Sequence, residues 1–151
     1  MTAATISEET WRVTEPIRLA ILGCGAITRS EHIPAVCSHP GVQLVALVDR
    51  DLSQADALIR NHGLTCKAVA DYREVLAEVD AVLNALPNHL HVSSNMDCLR
   101  AGVHVLCEKP LAIAAAEARS CAEFAEKKKL VLAVAMNRRF AGSHSLLKLI
   151  I

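Results

Sequence analysis

Residues 21–30, ILGCGAITRS, put Gly23 and Gly25 one residue apart at the end of an apolar run. That spacing suits phosphate binding. Gly23 can take a sharp turn, and Gly25, lacking a Cβ, lets the backbone approach a pyrophosphate whose charge then faces helix N–H groups. The familiar Gly-x-Gly-x-x-Gly pattern is incomplete, because Thr28 stands where the third glycine belongs. That glycine mainly allows helix and strand to pack closely. Thr28 is therefore expected to fit with slight displacement, its hydroxyl free to donate to a phosphate. The competing reading is a glycine turn that binds nothing. Asp49 weighs against it: it ends the apolar run 43–48, 21 residues after Thr28, where an acid meets the ribose hydroxyls of an adenosine. A carboxylate repels a 2′-phosphate and so favours NAD. Arg50 beside it keeps NADP as the alternative, since a guanidinium can hold that phosphate or stack on adenine.

Two further segments carry reactive side chains, LPNHLH at 86–91 and CEKPLA at 107–112. Asn88 can serve as a helix N-cap. His89 and His91 are two apart and on a helix would not share a face, which argues against a metal pair, and no metal is expected. Lys109 follows an apolar run and, partly desolvated or near another cation, would have its pKa drawn toward neutrality and serve in proton transfer. The plainer alternative is a loop lysine in water. Pro110 restricts the turn and is compatible with a cis peptide bond.

These residues need a scaffold that delivers them to one edge. Short apolar runs at 17–22, 43–48, 80–86, 103–107 and 130–135, with a weaker one near 64–69, read as strands buried on both faces. Helical patterns alternate with them. Leu52, Ala55, Leu58 and Ile59 line one face behind a capping-box-like Asp51 and Gln54. Asp71 and Glu74 repeat the signal ahead of Val75, Leu76 and Val79, and further stripes run through Val92, Met96 and Leu99, then Cys121, Phe124 and Ala125. Glu123 and Lys127 can pair on the last helix, whose Lys127–Lys129 run reads as a solvated C-terminus. Pro34 is expected to kink or restart the helix after the glycine turn. The alternation predicts an α/β fold, a doubly wound parallel sheet of six strands in the order 3-2-1-4-5-6. Ligands bind beyond the carboxyl ends of such strands, so every site residue should lie just after one.

Composition narrows the partners. The chain has 151 residues, 52% of them apolar, with 16 basic and 16 acidic side chains, which fits one packed domain. A neutral chain with only four aromatic residues, Trp11, Tyr72, Phe124 and Phe140, gives no support to nucleic-acid binding. No apolar run reaches the roughly 18–20 residues needed to cross a bilayer. Six cysteines without a Cys-x-x-Cys spacing, behind an acidic N-terminal segment lacking an apolar core, read as reduced thiols of a cytoplasmic protein.

The segments GCGAIT, LVDRD, LPNHLH, AGVHVLCEKPLA and MNRRF, in this order and spacing, resemble the glucose–fructose oxidoreductase, inositol dehydrogenase and rhizopine-catabolism group, the Gfo/Idh/MocA family. The resemblance spans residues 17 to 151, and its Glu-Lys-Pro element is far more specific than the glycine loop. It implies a Rossmann domain and NAD(P)-dependent hydride transfer on a sugar, polyol or related hydroxy compound. Carried over, Gly23 and Gly25 form the pyrophosphate turn with Ala26, Ile27 and Thr28, and Asp49 and Arg50 flank the ribose. Pro87, Asn88 and His91 of the Pro-Asn-x-x-His pattern would line the dinucleotide, joined by Glu108, Lys109 and, at the switch into the second half of the fold, Arg138. Lys109 would also touch the substrate hydroxyl and assist proton transfer.

Family members continue for roughly 200 further residues that bind substrate, supply an Asp/His pair and build a homo-oligomer interface. The expected organisation is therefore a tail over 1–16, the dinucleotide-binding domain over 17–140, and over 141–151 the start of a helix toward a substrate domain absent here. His144 comes too early to be the family's catalytic histidine. A dinucleotide-binding module that senses redox state or docks a partner through the apolar tail at 146–151 is the second reading. An S-adenosylmethionine methyltransferase, which shares glycine-rich turns, is a distant third.

Overall fold

The computed structural model describes residues 15–140. Trp11, His144 and the apolar tail at 146–151 lie outside the described residues. Six strands form one parallel sheet: β1 (Ile17–Leu22), β2 (Val42–Val48), β3 (Lys67–Val69), β4 (Ala81–Asn84), β5 (His104–Cys107) and β6 (Leu132–Val134). Their order is β3-β2-β1-β4-β5-β6, as the alternation of apolar runs predicts. The continuous apolar character of β1 has a direct cause: its neighbours are β2 and β4, and both faces are covered. Ala20 and Leu22 pack with Val48, Val82, Val105 and Cys107 on one face, while Leu19 and Ile21 pack with Leu47, Ala55, Leu58 and Leu83 on the other.

The ladder does not stop at the strand ends. Gly23 N–H donates to Val48 O, Asp49 N–H to Val69 O, Ala85 N–H to Leu22 O and Glu108 N–H to Asn84 O, at 2.7 to 3.0 Å. The first residue after each of these strands is thus pinned by its neighbour, which gives the carboxyl edge a rigid rim.

The helices depart from the sequence pattern in instructive places. The segment after the glycine turn is helical from Ala26, and Pro34 does not break it. A wide turn over Thr28–His32 lets Ile33 N–H reach Thr28 O, five residues back, before α1 (Ile33–Ser38) resumes with Pro34 in its first turn. Proline has no N–H for the ordinary register, so the helix widens just ahead of it.

In α2 (Leu52–His62), Asp51 caps through Ser53 N–H at 3.1 Å and not through Gln54, and Gly63 closes the helix at φ 61°. The helix expected behind Asp71 shrinks to a 3₁₀ turn over Tyr72–Val75, because Val75 is fully buried and the chain must enter β4 six residues later.

The stripe predicted for α3 (His91–Arg100) is also corrected. Its buried residues are His91, Ser94, Asn95, Cys98 and Leu99, while Val92 and Met96 are only half-buried. Polar residues enter the core because Asn84, buried at the end of β4, donates Nδ2 to Ser94 Oγ at 2.8 Å and to Asn95 Oδ1 at 2.7 Å. The stripe of α4 (Ala115–Lys128) holds, with Cys121 and Ala125 buried and Phe124 half-buried. No ion pair joins Glu123 to Lys127 among the described residues; the Lys128 ammonium instead lies 5.9 Å from the Phe124 ring centre.

All six cysteines are free thiols. Burial pushes Cys24 and Cys98 up to about 12 and Cys107 up to about 11, so these groups stay protonated and inert at neutral pH. With a thiol-specific chromogenic reagent at mildly alkaline pH, Cys37, the exposed one, is expected to react first. Buried Cys24, Cys98, Cys107 and Cys121 should wait for denaturation; a fast phase larger than Cys37 and half-buried Cys66 supply would contradict this packing.

Candidate functional site

A cleft of about 760 Å³ opens at the carboxyl edge of the sheet, within the range of small-molecule sites. A larger apolar groove of about 1010 Å³ lies at the opposite edge, lined by Ile17, Gln43, Ala81 and His104 at the starts of their strands. Position decides between them. Ligands of a doubly wound sheet sit at the carboxyl ends beside the point where strand order reverses, here between β1 and β4, and the glycine turn lies on that side.

The two glycines do different work. Gly23 has φ 93°, and a Cβ there would stand 2.6 Å from Ala85 O and 2.9 Å from Ala85 C. It is required by the fold itself, where the β1 turn crosses the end of β4. A Cβ at Gly25 would meet nothing within 4 Å. Gly25, Ala26 and Ile27 are exposed and face the cleft, at a helix start that leaves its first N–H groups without intrahelical partners. The open space over Gly25 and the N–H groups beside it fit a pyrophosphate, and Asp49 stands next to them.

Asp49 is half-buried and already engaged: Oδ2 accepts from Cys24 N–H at 2.9 Å and Oδ1 from Asp51 N–H at 3.0 Å. A carboxylate offers about four lone-pair sites, so about two remain for a ligand. The bond from Cys24 N–H holds the glycine turn against the end of β2.

Thr28 requires a correction. Its side chain is fully buried and its hydroxyl donates to Gly23 O at 2.6 Å. The only proton it has is spent inside the turn, so none is left for a phosphate. Thr28 replaces the third glycine by tying the helix to the turn it follows.

His91 is corrected in the same sense. It is fully buried, with Nδ1 2.7 Å from Pro110 O and Nε2 2.7 Å from Leu86 O. It joins the loop after β4 to the loop after β5 and presents no surface to a dinucleotide.

The other expected residues divide by position. Arg50 and Pro87 line the cleft, whereas Asn88, Glu108, Lys109 and Arg138 are not among its lining residues. Asn88 makes no side-chain cap for the short turn it begins. The partial desolvation expected of Lys109 is not found: the residue is exposed, on the rim beyond the last ladder bond of β5, and its peptide bond to Pro110 is cis. Arg138 is exposed on a 3₁₀ turn over Asn137–Phe140.

The structure adds residues that the sequence motifs do not single out. Asp71, Tyr72 and Arg73, just after β3, line the cleft beside Asp49 and Arg50. The Arg73 guanidinium lies 4.7 Å from the Tyr72 ring centre and donates to Asp97 at 2.8 Å, and the Tyr72 hydroxyl donates to Asp97 at 2.8 Å. Burial and that hydrogen bond push Tyr72 up to about 12, so it remains a donor. The one available signal was topological: β3 is a strand like the others, and its carboxyl end belongs to the same rim.

The sequence over residues 17–136 matches the oxidoreductase family with the NAD-binding Rossmann fold. The chain is 36% identical to a D-glucoside 3-dehydrogenase of Escherichia coli K12 over 130 residues, which is 85% of this chain and 37% of that one. It is 32% identical to an inositol 2-dehydrogenase of Rhizobium meliloti, covering 82% of this chain and 37% of the other. A 3-ketoreductase from Actinomadura kijaniata, solved with NADP and TDP-benzene, superposes with a TM-score of 0.82 at 30% identity, over 88% of this chain and 41% of that structure. The chain thus spans less than half the length of these relatives. Among the described residues no helix is long and apolar enough to cross a membrane, and no three His, Cys, Asp or Glu side chains gather as a metal site would need.

Proposed function

The chain belongs to the Gfo/Idh/MocA oxidoreductase family, with its NAD-binding Rossmann fold, and on that premise we propose that residues 17–140 bind the dinucleotide for hydride transfer to or from a sugar, polyol or related hydroxy compound. The observation that carries the reading is the contrast between the two glycines. Gly23 is closed in by Ala85, while Gly25 faces open space beside helix-start N–H groups and the Asp49 carboxylate. Gly25, Ala26 and Ile27 would hold the pyrophosphate, and Asp49 the adenosine ribose. Tyr72 and Arg73 offer a flat surface at the adenine end.

The bound nicotinamide supplies the hydride donor or acceptor. Lys109, exposed at the end of β5, is the residue of this chain that in this reading would hold or move the proton of a substrate hydroxyl. NAD is the favoured cofactor over NADP, since Asp49 would repel a 2′-phosphate and Arg73, the second cleft cation, is drawn to Asp71 and Asp97. A cytoplasmic location and a homo-oligomeric assembly belong to the same reading. The alternative, a dinucleotide module without chemistry of its own, has no feature of the described residues in its favour.

The test is a fluorescence titration of the chain with NADH and, separately, NADPH. Saturable binding with NADH preferred is expected. Asp49→Asn should weaken NADH by about 10-fold, as for a lost charge-assisted hydrogen bond, and narrow its advantage over NADPH. Unchanged affinities for both in that variant would remove Asp49 from the ribose site. Lys109→Ala should leave NADH affinity nearly intact.

A further inference from the structure

Glu108 turns both carboxylate oxygens inward at the end of β5. Oε2 accepts from Lys109 N–H at 3.1 Å, and Oε1 lies 3.1 Å from Nε2 of His32. Both side chains are largely sequestered, at 14% and 13% exposure for Glu108 and His32. His32 comes from the wide turn of the helical segment that starts at the glycine turn, so the pair spans from that segment to the far side of the β1/β4 crevice. The approach is off-axis, and Nε2 makes no aligned hydrogen bond to any described residue. Charge and dipole link the two groups more than a formed hydrogen bond does. Neither phosphate nor ribose recognition makes use of this pair.

Its place in the fold suggests a use. A dinucleotide lies across the crevice with one half on each side. Asp49 at the end of β2 marks the adenosine side, which puts Glu108, at the end of β5, on the nicotinamide side. The oxidised nicotinamide ring carries a positive charge that the reduced ring lacks. A carboxylate in poorly solvated surroundings attracts the first and is indifferent to the second. A donor N–H or imidazolium at 3.1 Å from that carboxylate offsets part of the attraction.

We propose that His32 and Glu108 form a specificity pair that sets the ratio of affinities for the oxidised and reduced cofactor, Glu108 favouring the oxidised form and His32 moderating it. The proposal rests on the dinucleotide-binding reading above. Its test is the dissociation constants of both NAD⁺ and NADH, by calorimetry, for the native chain, Glu108→Gln, His32→Met and the double variant, with folding checked by circular dichroism.

Glu108→Gln is expected to raise Kd(NAD⁺)/Kd(NADH) by about 3- to 10-fold, the size of a partly screened charge–charge interaction. His32→Met should lower the ratio, and the double variant should behave like Glu108→Gln, since His32 then has no charge left to offset. A purely structural role would weaken both forms alike and leave the ratio unchanged. An unchanged ratio in Glu108→Gln overturns the proposal, and where His32→Met fails to fold that variant alone decides. Native chain that binds neither form overturns the dinucleotide reading itself, an outcome distinct from an unaltered ratio.

Discussion

Replacing Gly23 by alanine is expected to destabilise the fold by about 3 kcal/mol, combining left-handed backbone strain with overpacking. The same change at Gly25 should leave stability untouched and remove most of the affinity for NADH. The asymmetry follows from what each new Cβ would meet. At Gly23, φ is 93° and the obstruction is backbone, Ala85 O at 2.6 Å and Ala85 C at 2.9 Å, held by the bond from Ala85 N–H to Leu22 O. Nothing there can swing aside. At Gly25 the added carbon enters open space in the cleft, so the folded chain does not register it. A pyrophosphate drawn against the backbone would. Thermal unfolding should show a fall on the order of 10 °C for Gly23→Ala and almost none for Gly25→Ala. NADH titration of Gly25→Ala should show at least about a 10-fold loss, the cost of one displaced charged contact. Native-like binding by Gly25→Ala would sink the cradle assignment, whatever the stability data say.

His91→Ala should lower stability by a similar amount, about 3 kcal/mol, from the cavity left by a fully buried ring and from loss of the ring's hydrogen bond to a loop carbonyl. The carbonyls within reach belong to Leu86 and Pro110, each 2.7 Å from a ring nitrogen. A neutral imidazole has one N–H and donates to one of them at a time, and the ring's position between the two loops keeps both in place. Amide hydrogen exchange is therefore expected to rise over 86–90 and 109–111 in this variant, while α2 and its Gly63 cap, on the far side of the sheet, remain protected. Uniform loss of protection across the sheet would mean that His91 supports the core in general and not these two loops.

How far the site could be read in advance depends on what kind of signal each residue carries. Gly23, Gly25 and Asp49 are legible because their types and spacing answer to one chemical demand, and the structure sets them around one cleft. Asp51 is legible as a cap because a short acid before an apolar stripe has few other uses, although its partner is Ser53 and not Gln54. Thr28, His91, Ser94 and Asn95 mislead for a shared reason. A polar side chain in a motif or on a helix reads as facing solvent or ligand, and only the neighbours show that it is buried and engaged from within: Thr28 by Gly23, His91 between two loop carbonyls, Ser94 Oγ and Asn95 Oδ1 by Asn84. Tyr72 and Arg73 carry no motif at all, and they join the cleft because β3 pairs with β2 and ends beside it.

Periodicity is local, and it suffices for the alternation of strands and helices, a parallel doubly wound sheet and the edge at which chemistry gathers, because burial on both faces and right-handed crossovers leave few arrangements. The sequence by itself determined those. The tertiary structure alone decided which polar atoms are spent holding the rim and which remain for a ligand. His32 and Glu108, 76 positions apart in the chain and 3.1 Å apart in space, are the sharpest case. Neither residue type nor spacing encodes that contact; it exists because the wide turn ahead of Pro34 and the end of β5 are brought to the same side of one sheet.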